Sequence, residues 1–75
     1  MATNLPSLNT LRAFSIVAKT LSYKDAADEL GVTPAAVKQL VSKLEGFFGT
    51  RLVVRDGQGL KLSAAGQESA GKLAA

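Results

Sequence analysis

The stretch Tyr23-Lys24-Asp25-Ala26-Ala27-Asp28-Glu29-Leu30-Gly31-Val32-Thr33-Pro34-Ala35-Ala36-Val37-Lys38-Gln39-Leu40-Val41-Ser42 decides the fold. It reads as two helices joined by the three-residue turn Gly31-Val32-Thr33. Ser22 stands as N-cap with Asp25 at the third helical position, an acidic variant of the capping box that also complements the helix dipole. Gly31 supplies the left-handed residue that ends a helix without a side-chain clash, and Thr33 with Pro34 forms an N-cap and first-turn pair. The apolar residues Ala26, Leu30, Val32, Val37 and Leu40 lock the angle between the helices, and Ala27 must be small where the second of them crosses. One helix is then left projecting, which is the helix-turn-helix pattern.

Working outward, the projecting helix continues to Phe48. Val37, Leu40, Val41, Leu44 and Phe48 form an apolar stripe at helical spacing, while Ala35, Lys38, Gln39, Ser42 and Lys43 fall on the polar side. Gly46 costs ~1 kcal/mol against alanine, so fraying is expected late in this helix, with Gly49 as its end. Upstream, Leu8, Leu11, Phe14, Val17, Ala18 and Leu21 recur at steps of three and four, predicting a core-facing helix from about residue 8. Ser7 is its N-cap, Pro6 disfavours helix at Leu5, and a short break falls at Leu21.

Downstream of Gly49 the period changes. The run Arg51 to Arg55, the turn Asp56-Gly57-Gln58-Gly59 and the alternating Leu60-Lys61-Leu62 predict a short hairpin. Ser63 caps a final alanine-rich helix that reaches Ala75 with no stop signal, as if cut within a helix. The expected fold is mostly α: a winged helix-turn-helix with a three-helix core, a β-hairpin wing and the start of a C-terminal helix. Residues 1–62 form the domain and residues 63–75 open a linker.

With 75 residues there is room for one small domain. Cysteine and histidine are absent, which removes disulfides, thiolate metal sites and the commonest general base. No apolar run approaches the ~20 residues of a membrane span. The start Met1-Ala2-Thr3-Asn4-Leu5-Pro6 lacks a secretory pattern, so a soluble cytoplasmic protein without a membrane partner is the default. No cofactor is implied. An enzyme is disfavoured, because the acids and lysines are scattered and no phosphate loop or sizeable pocket is expected.

The formal net charge of +3 is unevenly placed. Residues 1–31 and 63–75 are each neutral, while Lys38, Lys43, Arg51, Arg55 and Lys61 outnumber Glu45 and Asp56 in between. A polyanion would meet that segment first. Recognition helix 34–48 fits the major groove of double-stranded DNA. Gln39 can pair bidentately with adenine, Lys38 can donate to guanine, Ala35 can touch a thymine methyl, and Ser42 or Thr33 can bond phosphate or base. The helix N-terminus offers free N–H groups to a phosphate. The wing, 51–62, brings Arg55 and Lys61 beside a polar tip carrying Gln58, a shape suited to phosphates or a narrow minor groove. The competing reading is a winged-helix protein-protein interaction module. Such a module would more often expose apolar anchors on the projecting helix.

Leu11-Arg12-Ala13-Phe14, Ala26 to Thr33, Ala36-Val37, Leu44-Glu45, Arg51-Leu52 and Leu62-Ser63-Ala64-Ala65-Gly66 follow one another in an order that resembles the LysR-type transcriptional regulators. The resemblance implies a winged helix-turn-helix DNA-binding domain, a long linker helix that pairs two subunits, and a separate effector-binding domain beyond it. It places the DNA-reading stretch on Thr33 to Ser42, with the strongest contacts from Pro34, Ala35, Lys38 and Gln39; Lys43, from the polar side of the helix, is a further candidate DNA contact. The chain departs from the family's usual serine, arginine or histidine, and glutamine by having Lys38, Gln39 and Leu40. Arg55 stands where the family's wing arginine is expected, and Val53 replaces a phenylalanine, a smaller residue expected to loosen packing under the wing. The implied partner is an inverted-repeat operator bound by a homodimer or higher oligomer of the intact regulator, the isolated domain being compatible with a monomer.

Overall fold

The computed structural model describes residues 7–74; the readings at Leu5, Pro6 and Ala75 lie outside them. Three helices, α1 (Leu8–Thr20), α2 (Tyr23–Leu30) and α3 (Pro34–Phe48), precede an antiparallel hairpin of β1 (Val53–Asp56) and β2 (Gly59–Leu62), and α4 (Ala64–Ala74) follows. This is the expected mostly α winged helix-turn-helix. Each of the first three helices packs against the other two, α4 lies along α1, and β2 reaches α4. Among the described residues no helix is long and apolar enough to cross a membrane.

The predicted N-caps form. Ser7, Ser22 and Thr33 accept from the backbone N–H of Thr10, Asp25 and Ala36 at 3.2, 3.1 and 3.1 Å. Gly31 takes φ +72°, and the Val32 N–H closes back on the Ala27 carbonyl, so the turn into α3 is hydrogen-bonded. Phe14, Val17, Ala26, Ala27, Val37, Val41, Leu44, Leu52 and Val53 make one core cluster. Val53, despite replacing a larger side chain, is buried within it.

Several stripe positions at helix ends depart from expectation. Leu8 is 82 % exposed, and the buried face of α1 begins instead at Thr10, whose hydroxyl donates to the Ser7 carbonyl at 2.8 Å. A polar side chain satisfied by its own cap can be buried there, so the first apolar residue is not needed. Leu21 is no core residue either: it is the C-cap of α1, at φ 53°, with its N–H on the Val17 carbonyl. That left-handed conformation is costly for leucine and leaves its side chain in solvent. Phe48 is likewise exposed beside Phe47.

α3 continues past Gly46 to Phe48 and ends at Gly49 as expected, and its last turn is held from outside the helix. Gly49 and Thr50 both donate to the Glu45 carbonyl. The Glu45 carboxylate Oε2 accepts the N–H groups of Leu52 and Val53 at 2.8 and 3.1 Å. Two charge-assisted bonds from a mostly buried acid thus tie the end of α3 to the wing root beside the glycine that costs ~1 kcal/mol against alanine.

The wing also differs in detail. Its strands start at Val53, leaving Arg51 and Leu52 outside the strand as its root. Asp56 pairs with Gly59 as the last rung, so the turn is only Gly57-Gln58. Gly57 has φ +64° while Gln58 does not have positive φ, the sign pattern of a type II′ turn, which matches the strand twist.

At the other end of the hairpin the Ser63 N–H donates to the Leu52 carbonyl at 2.9 Å and the Ser63 hydroxyl to the Arg51 carbonyl at 2.6 Å. The same hydroxyl accepts from the Gly66 N–H at 3.0 Å, starting α4. Gly66 lies directly over Leu52, where a Cβ would collide with the Leu52 carbonyl oxygen. Gly66→Ala is therefore expected to destabilise the chain by about 1–3 kcal/mol in denaturant titration, as overpacking against rigid backbone does; Gly71→Ala, where nothing stands within reach, is expected to be neutral or stabilising.

Candidate nucleic-acid interface

The helix-turn-helix core fixes the outward face of α3. Pro34, Ala35, Lys38, Gln39, Ser42 and Lys43 are all exposed. Ala35, Lys38, Gln39 and Ser42 share one face at offsets of three, four and seven. Thr33 is exposed, but its Oγ1 is engaged as the N-cap acceptor. That cap also limits the anion site expected at the start of α3. Pro34 has no N–H and the Ala36 N–H is given to Thr33, which leaves the Ala35 amide among the first three.

Arg55, Gln58 and Lys61 are exposed on the wing, yet they do not act as one group. The register pairs Arg55 with Leu60 and Val54 with Lys61. Since directly opposed residues share a face and neighbours alternate, Arg55 lies on the face of Val53 and Leu60, and Lys61 on the opposite one with Asp56. Arg55 and Gln58 line a groove with Lys38, Arg51, Ser22 and Tyr23, between the start of α2, α3 and the hairpin. Lys61, Ser42 and Lys43 do not line it.

Sequence reasoning passed over three residues here. Arg51 was counted in the basic segment but precedes the wing strand. Tyr23 was read only as a helix start. Glu45 was read as a charge and as part of the Leu44-Glu45 pair, with no structural role, although its carboxylate, 15 % exposed, lies 3.9 Å from Arg51 Nε while holding the wing root. The positive excess between residues 32 and 62 and the Arg51-Leu52 pair pointed to Arg51 without giving it a role; the Glu45 bonds span seven and eight residues and leave no local signal.

The charge balance sharpens in three dimensions. Lys19 pairs with Glu29 at 3.2 Å and Lys72 with Glu68 at 4.0 Å, both outside the basic segment. Within that segment Arg51 alone has an acid within 4.0 Å among the described residues. Lys38, Lys43, Arg55 and Lys61 thus present unneutralised charge along α3 and the wing.

A projecting helix with a polar, cationic face beside a basic two-stranded wing defines a winged helix-turn-helix of the nucleic-acid-binding kind. Residues 8–67 match the family described as bacterial regulatory helix-turn-helix protein, lysR family, and the chain belongs to it. It is 47 % identical over 66 residues to the HTH-type transcriptional regulator TrpI of Pseudomonas aeruginosa, covering 88 % of this chain and 22 % of that protein. A crystal structure of a LysR-family transcriptional regulator from Eggerthella lenta superposes with a TM-score of 0.86 at 30 % identity, covering 92 % of this chain and 99 % of the other. The CbnR DBD–DNA complex superposes with a TM-score of 0.82 at 27 % identity, covering 88 % and 76 %. The chain thus spans about a fifth of the length of the TrpI regulator it matches.

Burial pushes the Tyr23 phenol above its ordinary 10.0, the Glu45 carboxylate adds to the rise, and Arg51 and Arg55 oppose it. Tyr23 is the only tyrosine, so its ultraviolet titration is uncontaminated. The expected midpoint lies above 10.0 in the folded chain and returns to the ordinary value in denaturant. Folding favours the protonated phenol, so this contribution to stability is complete below pH 10.0 and is lost as pH rises through the folded-state value. Tyr23→Phe is expected to remove that alkaline component from the stability profile.

Proposed function

We propose that this chain is the DNA-binding domain of a bacterial transcription regulator, with residues 34–48 in the major groove as a recognition helix and residues 51–62 as a wing. The observation that carries the reading is the coincidence of unneutralised positive charge with the one helix face and the one hairpin that the fold leaves projecting. Phosphate binding requires charge at those places.

Gln39 and Lys38 are the readers of base edges, Ala35 and Pro34 shape the apolar approach to thymine methyls, and Thr33, Ser42 and Lys43 flank them toward the backbone. Arg55 and Gln58 face the strand between helix and wing, and Lys61 reaches outward from the other wing face. In the intact regulator, α4 opens a linker helix that pairs two subunits, so that a homodimer meets an inverted repeat with one recognition helix per half-site. Losing the second subunit lowers affinity sharply, because the second half-site is then no longer engaged intramolecularly. The working site is the cytoplasm and the role is binding, with no chemistry of its own.

The interaction-module reading loses its support on the exposed face of α3. Among the described residues the exposed large apolar side chains are Leu8, Leu21, Val32, Phe47 and Phe48; Phe47 and Phe48 lie at the C-terminal end of α3, and none of the five belongs to the set Ala35, Lys38, Gln39 and Ser42.

The reading is tested by selecting a preferred duplex from a random pool and measuring affinity for it and for its single-base variants. Gln39→Ala is expected to cost about 1–3 kcal/mol on the preferred site and to flatten discrimination at one base position. Arg55→Ala is expected to weaken all duplexes alike. Equal losses on every sequence for Gln39→Ala would remove it as a reader.

A further inference from the structure

A recognition helix in the major groove and a wing turned toward the neighbouring minor groove stand on either side of one sugar-phosphate strand. In this chain the space between them is the groove lined by Ser22, Tyr23, Lys38, Arg51, Arg55 and Gln58. We propose that this groove is a phosphate cleft in which Arg51 and Tyr23, together with Arg55, take the phosphodiester that passes between helix and wing, while Lys38 on the α3 wall of the groove is left to the base edges. The inference rests on the DNA-binding reading and deepens it, by assigning to two further residues a contact that sets affinity without reading sequence.

Four features of the groove support this. Its cations come from three separate places in the fold: Lys38 from α3, Arg51 from the wing root and Arg55 from β1. The only acid of the wing strands, Asp56, sits in register with Gly59 on the face away from Arg55, so it does not neutralise them.

The acid that does approach, Glu45, has its Oε2 already accepting from the Leu52 and Val53 amides. It stands 3.9 Å from Arg51 Nε while the Arg51 side chain remains 76 % exposed. Glu45 therefore lies nearest the Nε edge of the guanidinium, and the exposed outer edge can donate two parallel N–H bonds to two phosphate oxygens. Finally, Tyr23 lines the same groove as Arg51 and Arg55, which brings a neutral donor to the cations there.

The test measures binding of this chain to a mixed-sequence duplex across a range of salt concentrations, for the wild type, Arg51→Gln, Arg51→Lys and Tyr23→Phe. Each phosphate neutralised contributes about 0.9 to the slope of log affinity against log salt. Arg51→Gln is expected to lower that slope by about 0.9 and to weaken mixed and selected duplexes equally, by about tenfold at low salt. Arg51→Lys keeps the charge and is expected to keep the slope. Tyr23→Phe, which removes only a neutral donor, is expected to lose about fivefold in affinity with the slope unchanged.

Circular dichroism and thermal unfolding like those of the wild type show that the variants are folded. A wild-type slope in Arg51→Gln, or a loss confined to one sequence, overturns the cleft while leaving the DNA-binding reading standing. A wild type that binds no duplex even at low salt overturns both.

Discussion

Leu52 is where the structure is tied together. Its side chain is fully buried, its N–H is held by the Glu45 carboxylate of α3, and its carbonyl accepts from Ser63 at the close of the hairpin. Gly66 of α4 lies against the same carbonyl. One residue thus fixes the end of the recognition helix, both strands of the wing and the start of the last helix relative to one another. A two-stranded hairpin alone is marginal in water. This one has a defined position because its root is bonded to α3 and its first residue, Val53, belongs to the core. The spacing between the polar face of α3 and the basic face of β1 follows from that junction, and with it the width of the groove between them.

What the sequence made legible is what depends on near neighbours. The caps Ser7, Ser22, Thr33 and Ser63 each act on an amide three residues on, so their chemistry is visible in a short window. The middle of each apolar stripe, Phe14 and Val17 in α1 or Val37, Val41 and Leu44 in α3, was legible from period alone. The ends were not. Whether Leu8, Leu21 or Phe48 meets a neighbour depends on where the next element stops, and period carries no such information.

Glycine shows the same limit. Gly46 was read from propensity alone, which says nothing of the neighbouring Glu45 carboxylate that bonds an amide seven residues on. Gly66 appeared only as part of a family pattern, whereas the fold demands it because backbone crosses within contact distance. The candidate site shows the same limit. The exposed face of α3 was read correctly as a set from one helical wheel, while Arg55 and Lys61 were grouped by proximity in sequence and then separated by the hairpin register. Arg51 and Tyr23, 28 positions apart, meet only in the folded chain.

Folding here serves mainly to hold charge and hydrogen-bonding groups at fixed separations on a small frame. The central claim is that α3 and the wing engage one duplex together. Its most direct measurement is an amide chemical-shift titration of the chain with a random duplex and then an A·T-rich inverted repeat, at low and moderate salt. The account predicts shifts concentrated on residues 33–43 and on the wing face carrying Arg55, weakening as salt rises. Amides of those residues that stay in place with both duplexes at low salt would contradict it.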